Sequence, residues 1–190
     1  MAKTLHKPQF LIIIFILHLL TTIHSKTFSR NLSEKPHSFK KEKQTHLHFY
    51  FHDIVTGRHP TAVKVASAST TNSTLSLFGL VTMMDDPLTV GLELESKLVG
   101  RAQGMYASAD LKELGFLMVL NYYFTEGKYN GSTLSILGRN AALTAVREMP
   151  VVGGTGIFRF ARGYAQAKTH SFDYKSGNAV VEYDVYVLHY

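Results

Sequence analysis

The 190-residue chain has no cysteine. That absence excludes disulfide scaffolds, thiolate-held zinc, iron–sulfur clusters and thiol nucleophiles together. Tryptophan is missing too, and proline occurs only five times. Charged residues make up 18% of the chain and hydrophobic ones 45%. Disorder of the whole chain needs fewer apolar groups and more charge than this. The longest apolar run, residues 10–20, is interrupted by His18. It falls short of the roughly 18–20 apolar residues that span a bilayer, so no membrane span is expected. Gly-x-Ser-x-Gly, the elbow of serine hydrolases, does not occur. The glycines of Val152-Gly153-Gly154-Thr155-Gly156 lack the Gly-Lys-Ser/Thr that a phosphate loop requires.

The formal charge of +6 points toward nucleic acid until it is located. Residues 1–25 carry +2 (Lys3, Lys7) and residues 26–46 carry +4. From Leu47 onward 12 Lys and Arg face 12 Asp and Glu. A formally neutral domain lacks the clustered basic surface that phosphate backbones need, so nucleic acid is not an expected partner.

The N-terminus reads as an address. Lys3 and Lys7 precede a short apolar run, and small Ser25 follows it, the pattern of a secretory signal peptide over 1–25. Residues 26–46 are polar, hold Pro36 and show no period, which predicts a flexible basic arm. A folded domain is expected over 47–190. Export gives meaning to three Asn-x-Ser/Thr triplets, at Asn31, Asn72 and Asn130, as candidate glycosylation sites.

From Leu47 the apolar period becomes two. Leu47, Phe49, Phe51, Asp53 and Val55 share one face, and His48, Tyr50, His52 and Ile54 share the other. Strand-like runs follow at 62–66, 75–84, 88–96, 102–107, 115–125, 132–137, 156–164, 167–174 and 179–189, with a break expected at Asp85-Asp86-Pro87. Helical patterning is confined to single turns near 109–114 or 141–146. Many short strands between turn signals predict an all-β barrel or sandwich. A barrel of about eight strands has room for side chains or one small ligand. The ten Tyr and twelve Phe are expected mainly to pack the core.

Four polar residues stand out. Asp53 lies on the apolar face of its strand, where a carboxylate is costly unless paired. Asp86 precedes Pro87, where a turn cap is the simpler role. Tyr106 sits in a strand, and Arg147 is flanked by Val146 and by Met149-Pro150. An inward arginine can hold a phenolate or carbonyl oxygen, or form a structural salt bridge. His46, His48 and His52 alternate with the phenylalanines, so they are expected on the solvated face, and no metal site is expected.

Several ordered blocks then resemble the plant dirigent proteins. They are His48-Phe49-Tyr50-Phe51-His52-Asp53-Ile54-Val55-Thr56-Gly57, Asp85-Asp86-Pro87-Leu88-Thr89, Val99-Gly100-Arg101-Ala102-Gln103-Gly104-Met105-Tyr106 and Val180-Val181-Glu182-Tyr183. The longest runs from Arg147 through Gly156 and on through Phe158 to Tyr164. The resemblance spans about residues 46–190. It implies an eight-stranded antiparallel β-barrel of the dirigent and allene oxide cyclase type, assembled as a homo-oligomer, a trimer or else a dimer. It implies secretion to the plant apoplast and no cofactor. It also implies guidance of phenoxy-radical coupling in lignan and phenylpropanoid metabolism, with radicals of a small phenolic such as coniferyl alcohol supplied by a separate laccase or peroxidase. The family's pocket residues fall on Asp53, Asp86, Tyr106 and Arg147, with Phe172 as a wall residue. Lignan-forming members carry aspartate seven positions before the arginine. Asn140 stands there instead and cannot act as a carboxylate base. The wording around Asn140 and Arg147 is closer to a broad dirigent subgroup of varied substrates, which resembles members that dehydrate isoflavanols to pterocarpans through a quinone methide and members linked to atropselective terpenoid coupling. Hydro-lyase activity is therefore the alternative to coupling guidance. Binding to the cell wall through the barrel surface and basic arm is a third reading.

Overall fold

The structure is a computed structural model that describes residues 41–190. The expected signal peptide, most of the expected basic arm and Asn31 lie outside the described residues. Nine strands follow one another: β1 (Lys43–Asp53), β2 (Ala62–Ala66), β3 (Val81–Thr89), β4 (Leu98–Ser108), β5 (Gly115–Phe124), β6 (Thr133–Ala141), β7 (Arg147–Thr155), β8 (Arg162–Phe172) and β9 (Ala179–His189). Neighbours from β3 to β9 pair antiparallel in chain order, β9 pairs with β1 along its whole length, and β1 returns to β3. Eight strands thus close a barrel, as the sequence predicts. The short β2 pairs with the first half of β3, where β1 does not reach. Helical structure among the described residues is limited to single 3-10 turns at Thr71–Ser73, Gly127–Tyr129 and Gly156–Phe158.

Several local expectations change. The expected runs 75–84 and 88–96 are strand only over Val81–Thr89, the residues before and after it being turns and bends. The run Asp85-Asp86-Pro87 does not break a strand; it lies inside β3. β2 pairing ends at Met84 and β1 pairing starts at Leu88, so Pro87 sits where no partner on that side asks for its missing N–H. Residues 147–155 form β7, although their glycines and Pro150 hide the strand period, and 156–158 turn instead of extending.

Alternation sends one residue in two into the barrel. Phe49 packs edge-on to Tyr122, with ring centroids 5.0 Å apart, and against Tyr183 at 5.9 Å. Phe124, Tyr129, Phe158 and His189 stack beyond them and plug one end. Each such buried ring contributes roughly 1.5–3 kcal/mol by leaving water. Most aromatic rings therefore serve packing, as expected. The barrel also needs close backbone approach. A Cβ at Gly163 would stand 1.9 Å from the Tyr186 carbonyl oxygen, and one at Gly104 2.2 Å from that of Val119.

The outer face carries an uneven pattern. Val63, Met83, Met105, Val119 and Leu137 are successive cross-strand partners on β2 to β6, and all are exposed. They form one apolar row crossing five strands, roughly 19 Å at about 4.8 Å per strand. The adjacent row, Asp85, Gln103, Asn121 and Ser135, is polar. On the opposite wall His46 and His48 both reach Asp184 Oδ1, at 2.7 and 3.0 Å, so these histidines lie outside as expected. His52 departs from that expectation: it is buried, with Nε2 2.7 Å from the Thr89 hydroxyl.

Candidate functional site

The polar interior residues gather at the end opposite the aromatic plug. That mouth is built from the end of β1, the ends of β4 and β6, and the starts of β7 and β9. The sequence places inward polar side chains there because each is in phase with buried apolar neighbours: Asp53 with Phe49 and Phe51, Tyr106 with Ala102, Arg147 with Met149 and Val151.

One group is acidic. The Tyr106 phenol donates to Asp53, 3.2 Å from Oδ2. Asp86 is wholly buried on β3, and its Oδ1 accepts from the Thr61 hydroxyl at 2.5 Å. The other oxygen, Oδ2, is buried without a partner. Burial pushes the Asp53 carboxyl up to about 6, with the Tyr106 hydrogen bond opposing. Burial and then the charge of Asp53 push Asp86 up to about 8. Burial also raises the Tyr106 phenol above its usual range. Two carboxyls that cannot both ionise cheaply leave one protonated at neutral pH.

The second group is cationic. Arg147, buried at 5% exposure, donates from Nε to Asn140 Oδ1 at 3.0 Å, and its Nη1 has no partner. Burial lowers its pKa and the Tyr183 phenol opposes the shift. No carboxylate among the described residues pairs with it. Tyr183, pushed up to about 12 by burial, feels the charges of Arg147, Asp53 and Asp86 alike, and its strand β9 stands between β1 and β7 in the sheet order. The Tyr122 hydroxyl approaches that of Tyr183 without reaching hydrogen-bond geometry. A depression of about 280 Å³, lined by Arg139, Ala141, Thr144, Arg147 and Glu148, opens on the Arg147 side. Arg139 bonds Asp110 and Glu113, tying the β4–β5 connection to β6 at this rim.

The structure therefore brings Asp53, Asp86 and Tyr106 together, and separately Asn140 and Arg147. Phe172 stands at the rim, 43% exposed, opposite Ala179 on the inward side of the sheet; a register shift after Thr169 turns it there. Asn72 and Asn130 are exposed. Thr61, Tyr122 and Tyr183 were not singled out by the sequence. Tyr183 was readable from the alternation Val181, Tyr183, Val185, whereas Thr61 lies in a polar connection with no period. His48, Glu182 and Asp184 are close enough to hold a cation, but all are partly exposed, and His46 and His48 already satisfy Asp184 by hydrogen bonds.

Asp86 makes a measurable signature. Its folded pKa of about 8 stands above the ordinary aspartate value of 3.8, so the folded state holds the extra proton between those limits. Stability then falls as pH rises through that window, with Asp53 adding a loss up to about pH 6. Asp86→Asn keeps an acceptor for Thr61 and carries no charge. It is expected to flatten the decline between about pH 6 and 8 and to raise Tm at pH 8 by about 3 °C or more, near the shift for 1 kcal/mol in a domain of this size. Parallel Tm–pH curves for the two proteins in calorimetry would contradict this.

Comparison with known proteins agrees with the geometry. Residues 44–188 match the family model described as Dirigent-like protein. Dirigent protein 21 of Arabidopsis thaliana is 56% identical, covering 96% of this chain and 95% of its own. Pterocarpan synthase 1 of Glycyrrhiza echinata is 52% identical, with all of both chains covered. A solved pterocarpan synthase dirigent protein superposes with a TM-score of 0.75 at 58% identity, over 80% of this chain and 87% of that one. An aligned barrel, a family match across nearly every strand and full-length relatives lead to one conclusion: the chain belongs to the dirigent family.

Proposed function

We propose that this dirigent protein is a hydro-lyase that removes water from an isoflavanol by way of a quinone methide. The observation that carries the reading is the set of unsatisfied polar atoms at the site. Buried polar atoms without partners are rare in native proteins. Asp86 Oδ2 and Arg147 Nη1 are two such atoms on inward-facing residues. An acid, a cation and aromatic walls suit a substrate with a leaving hydroxyl, an acidic phenol and planar rings. The pterocarpan synthase names of full-length relatives support the same reading.

In this mechanism Arg147 holds the substrate phenol as its phenolate by a charge-assisted hydrogen bond. Asp86 gives its proton to the benzylic hydroxyl, the C–O bond breaks, and water leaves. The electron pair of the phenolate moves into the ring and gives a neutral quinone methide. A second phenol hydroxyl of the same molecule then adds to the methide carbon. Its proton returns to Asp86 and the first oxygen regains its negative charge at Arg147. Substrate becomes cyclic ether plus water, and the protein ends as it began. Burial keeps Asp86 protonated, and so does an ionised Asp53, which the Tyr106 hydrogen bond favours.

A second reading keeps the same site. A quinone methide also arises when two phenoxy radicals couple, so the barrel would orient radicals made by an oxidase. The full-length similarity to Dirigent protein 21 keeps this reading open. The proposal extends to assembly and export. The apolar row from Val63 to Leu137 fits burial against a second copy in a homo-oligomer, a trimer by family resemblance. Export with loss of residues 1–25, and glycans on Asn72 and Asn130, complete it.

The test is a chiral product analysis of purified protein with isoflavanols alone, and with coniferyl alcohol plus laccase. Conversion of an isoflavanol without oxidant is expected, slowed roughly tenfold or more by Arg147→Ala, since a bond to a charged group is worth about 1.5–3 kcal/mol. Arg147→Lys should rescue only in part, lacking the planar fork. Stereoselective coupling with laccase, and no reaction without it, would replace this reading with the second one. In the same preparation Val119→Glu should lower the mass seen by light scattering to that of a monomer; an unchanged mass would remove the apolar row as an interface. Protein recovered from tissue with Met1 intact, or with a mass unmoved by glycosidase, would overturn the export claim.

A further inference from the structure

A carboxylic acid that must give a proton in one direction needs its two oxygens distinguished, and the connection between β1 and β2 supplies the means. Thr61 is clamped from both sides. Its N–H donates to the Ile54 carbonyl at 2.8 Å, and its own carbonyl accepts from Asp85 N–H at 2.9 Å. Ala62 N–H donates to the same Ile54 carbonyl at 3.1 Å. The residue is therefore tied to the end of β1 and to the backbone just before Asp86. Its branched side chain is stiff about χ1, so a fixed backbone fixes the hydroxyl. That hydroxyl lies 2.5 Å from Asp86 Oδ1.

We propose that Thr61 is a positioning residue for proton delivery: its hydroxyl engages Asp86 Oδ1 and so leaves the acidic proton on Oδ2, the buried oxygen free to meet a ligand. Only one hydrogen fits between two oxygens 2.5 Å apart. When the Thr61 hydroxyl fills that place as donor, the proton of the neutral acid stands on Oδ2, and that atom has no protein partner. The inference rests on the reading of Asp86 as the group that protonates the leaving hydroxyl. Thr61 does not touch substrate in this account. It acts through Asp86, and it couples the acid to the 54–61 connection at the mouth.

The hydrogen bond from Thr61 also favours the ionised carboxylate and holds the Asp86 pKa below the value burial alone would set. The charged and titratable groups that influence Asp86 are Asp53 from β1, Asp85 from β3, Arg101 and Tyr106 from β4, and Tyr183 from β9. Of these only Asp53 shares its titration range, with a pKa of about 6.

The test follows the Asp86 carboxyl by carbon NMR on protein labelled at aspartate Cγ, the resonance being assigned by its loss in Asp86→Asn. Thr61→Val removes the hydroxyl and keeps the branched shape. Its Asp86 midpoint is expected to rise by about one pH unit, and Thr61→Ser to restore it. Turnover of an isoflavanol should fall about tenfold in Thr61→Val, with KM changed less than about twofold, and recover in Thr61→Ser. If Thr61→Val fails to fold, Thr61→Ala is read in the same way. An unmoved Asp86 midpoint, or a Thr61→Ser protein as impaired as Thr61→Val, would overturn the proposal. Wild-type protein inactive on isoflavanols, with the midpoint still moved by Thr61→Val, would uphold the positioning role and overturn the substrate reading instead.

Discussion

The barrel closes along β3, and everything polar in the acidic group depends on how that seam is made. β1 meets β3 only at Tyr50 with Thr89 and Phe51 with Leu88, after which β1 ends and β2 takes its place from Ala62. The change of partner leaves a short gap beside Asp86 and Pro87, with Asp85 N–H already held by the Thr61 carbonyl. Pro87 is tolerated there because it has no N–H to lose. Asp86 points inward at the gap, Asp53 ends the departing strand, and Thr61 enters with the arriving one. Continued in register, the β1–β3 ladder would set Asp53 directly opposite Asp86 and leave no place for Thr61. The interrupted one admits it.

The seam would mean little if the cation stood nearby. Arg147 enters from β7, three strands from the β1 of Asp53 along the sheet, and no carboxylate among the described residues pairs with it. Placed in contact, Arg147 and Asp86 would form an ion pair, the carboxyl would lose its proton, and both would be spent on each other. Left without an ion pair, each retains a group to offer a ligand. Such an arrangement costs stability. The aromatic plug at the other end, Phe124, Tyr129, Phe158 and His189, offsets that cost by ring packing.

Much of this was legible in the sequence, and the exceptions have physical causes. The alternation about Phe49 and Phe51 places Asp53 inward, and the apolar flanks of Arg147 do the same for it. β7 was not legible from periodicity, because Gly153, Gly154 and Pro150 erase the apolar alternation while pairing with β8 still holds residues 147–151 extended. Asp86 was legible as a residue of interest but not as a strand residue, since an Asp-Asp-Pro run looks the same in a turn and at a seam. His52 alternates outward, yet its ring is covered and bonded to Thr89. Thr61 was beyond reach: its importance comes from contacts with residues at both ends of an irregular connection, and no local pattern encodes them.

In the proposed mechanism the acid and the cation face one ligand from two sides. A crystal structure with a bound, unreactive isoflavone ketone decides whether they do. One ligand oxygen is expected within hydrogen-bond distance of Arg147 Nη1 and another polar atom at Asp86 Oδ2. A ligand seated elsewhere, with those two atoms bonded to ordered water or to other side chains, would contradict it.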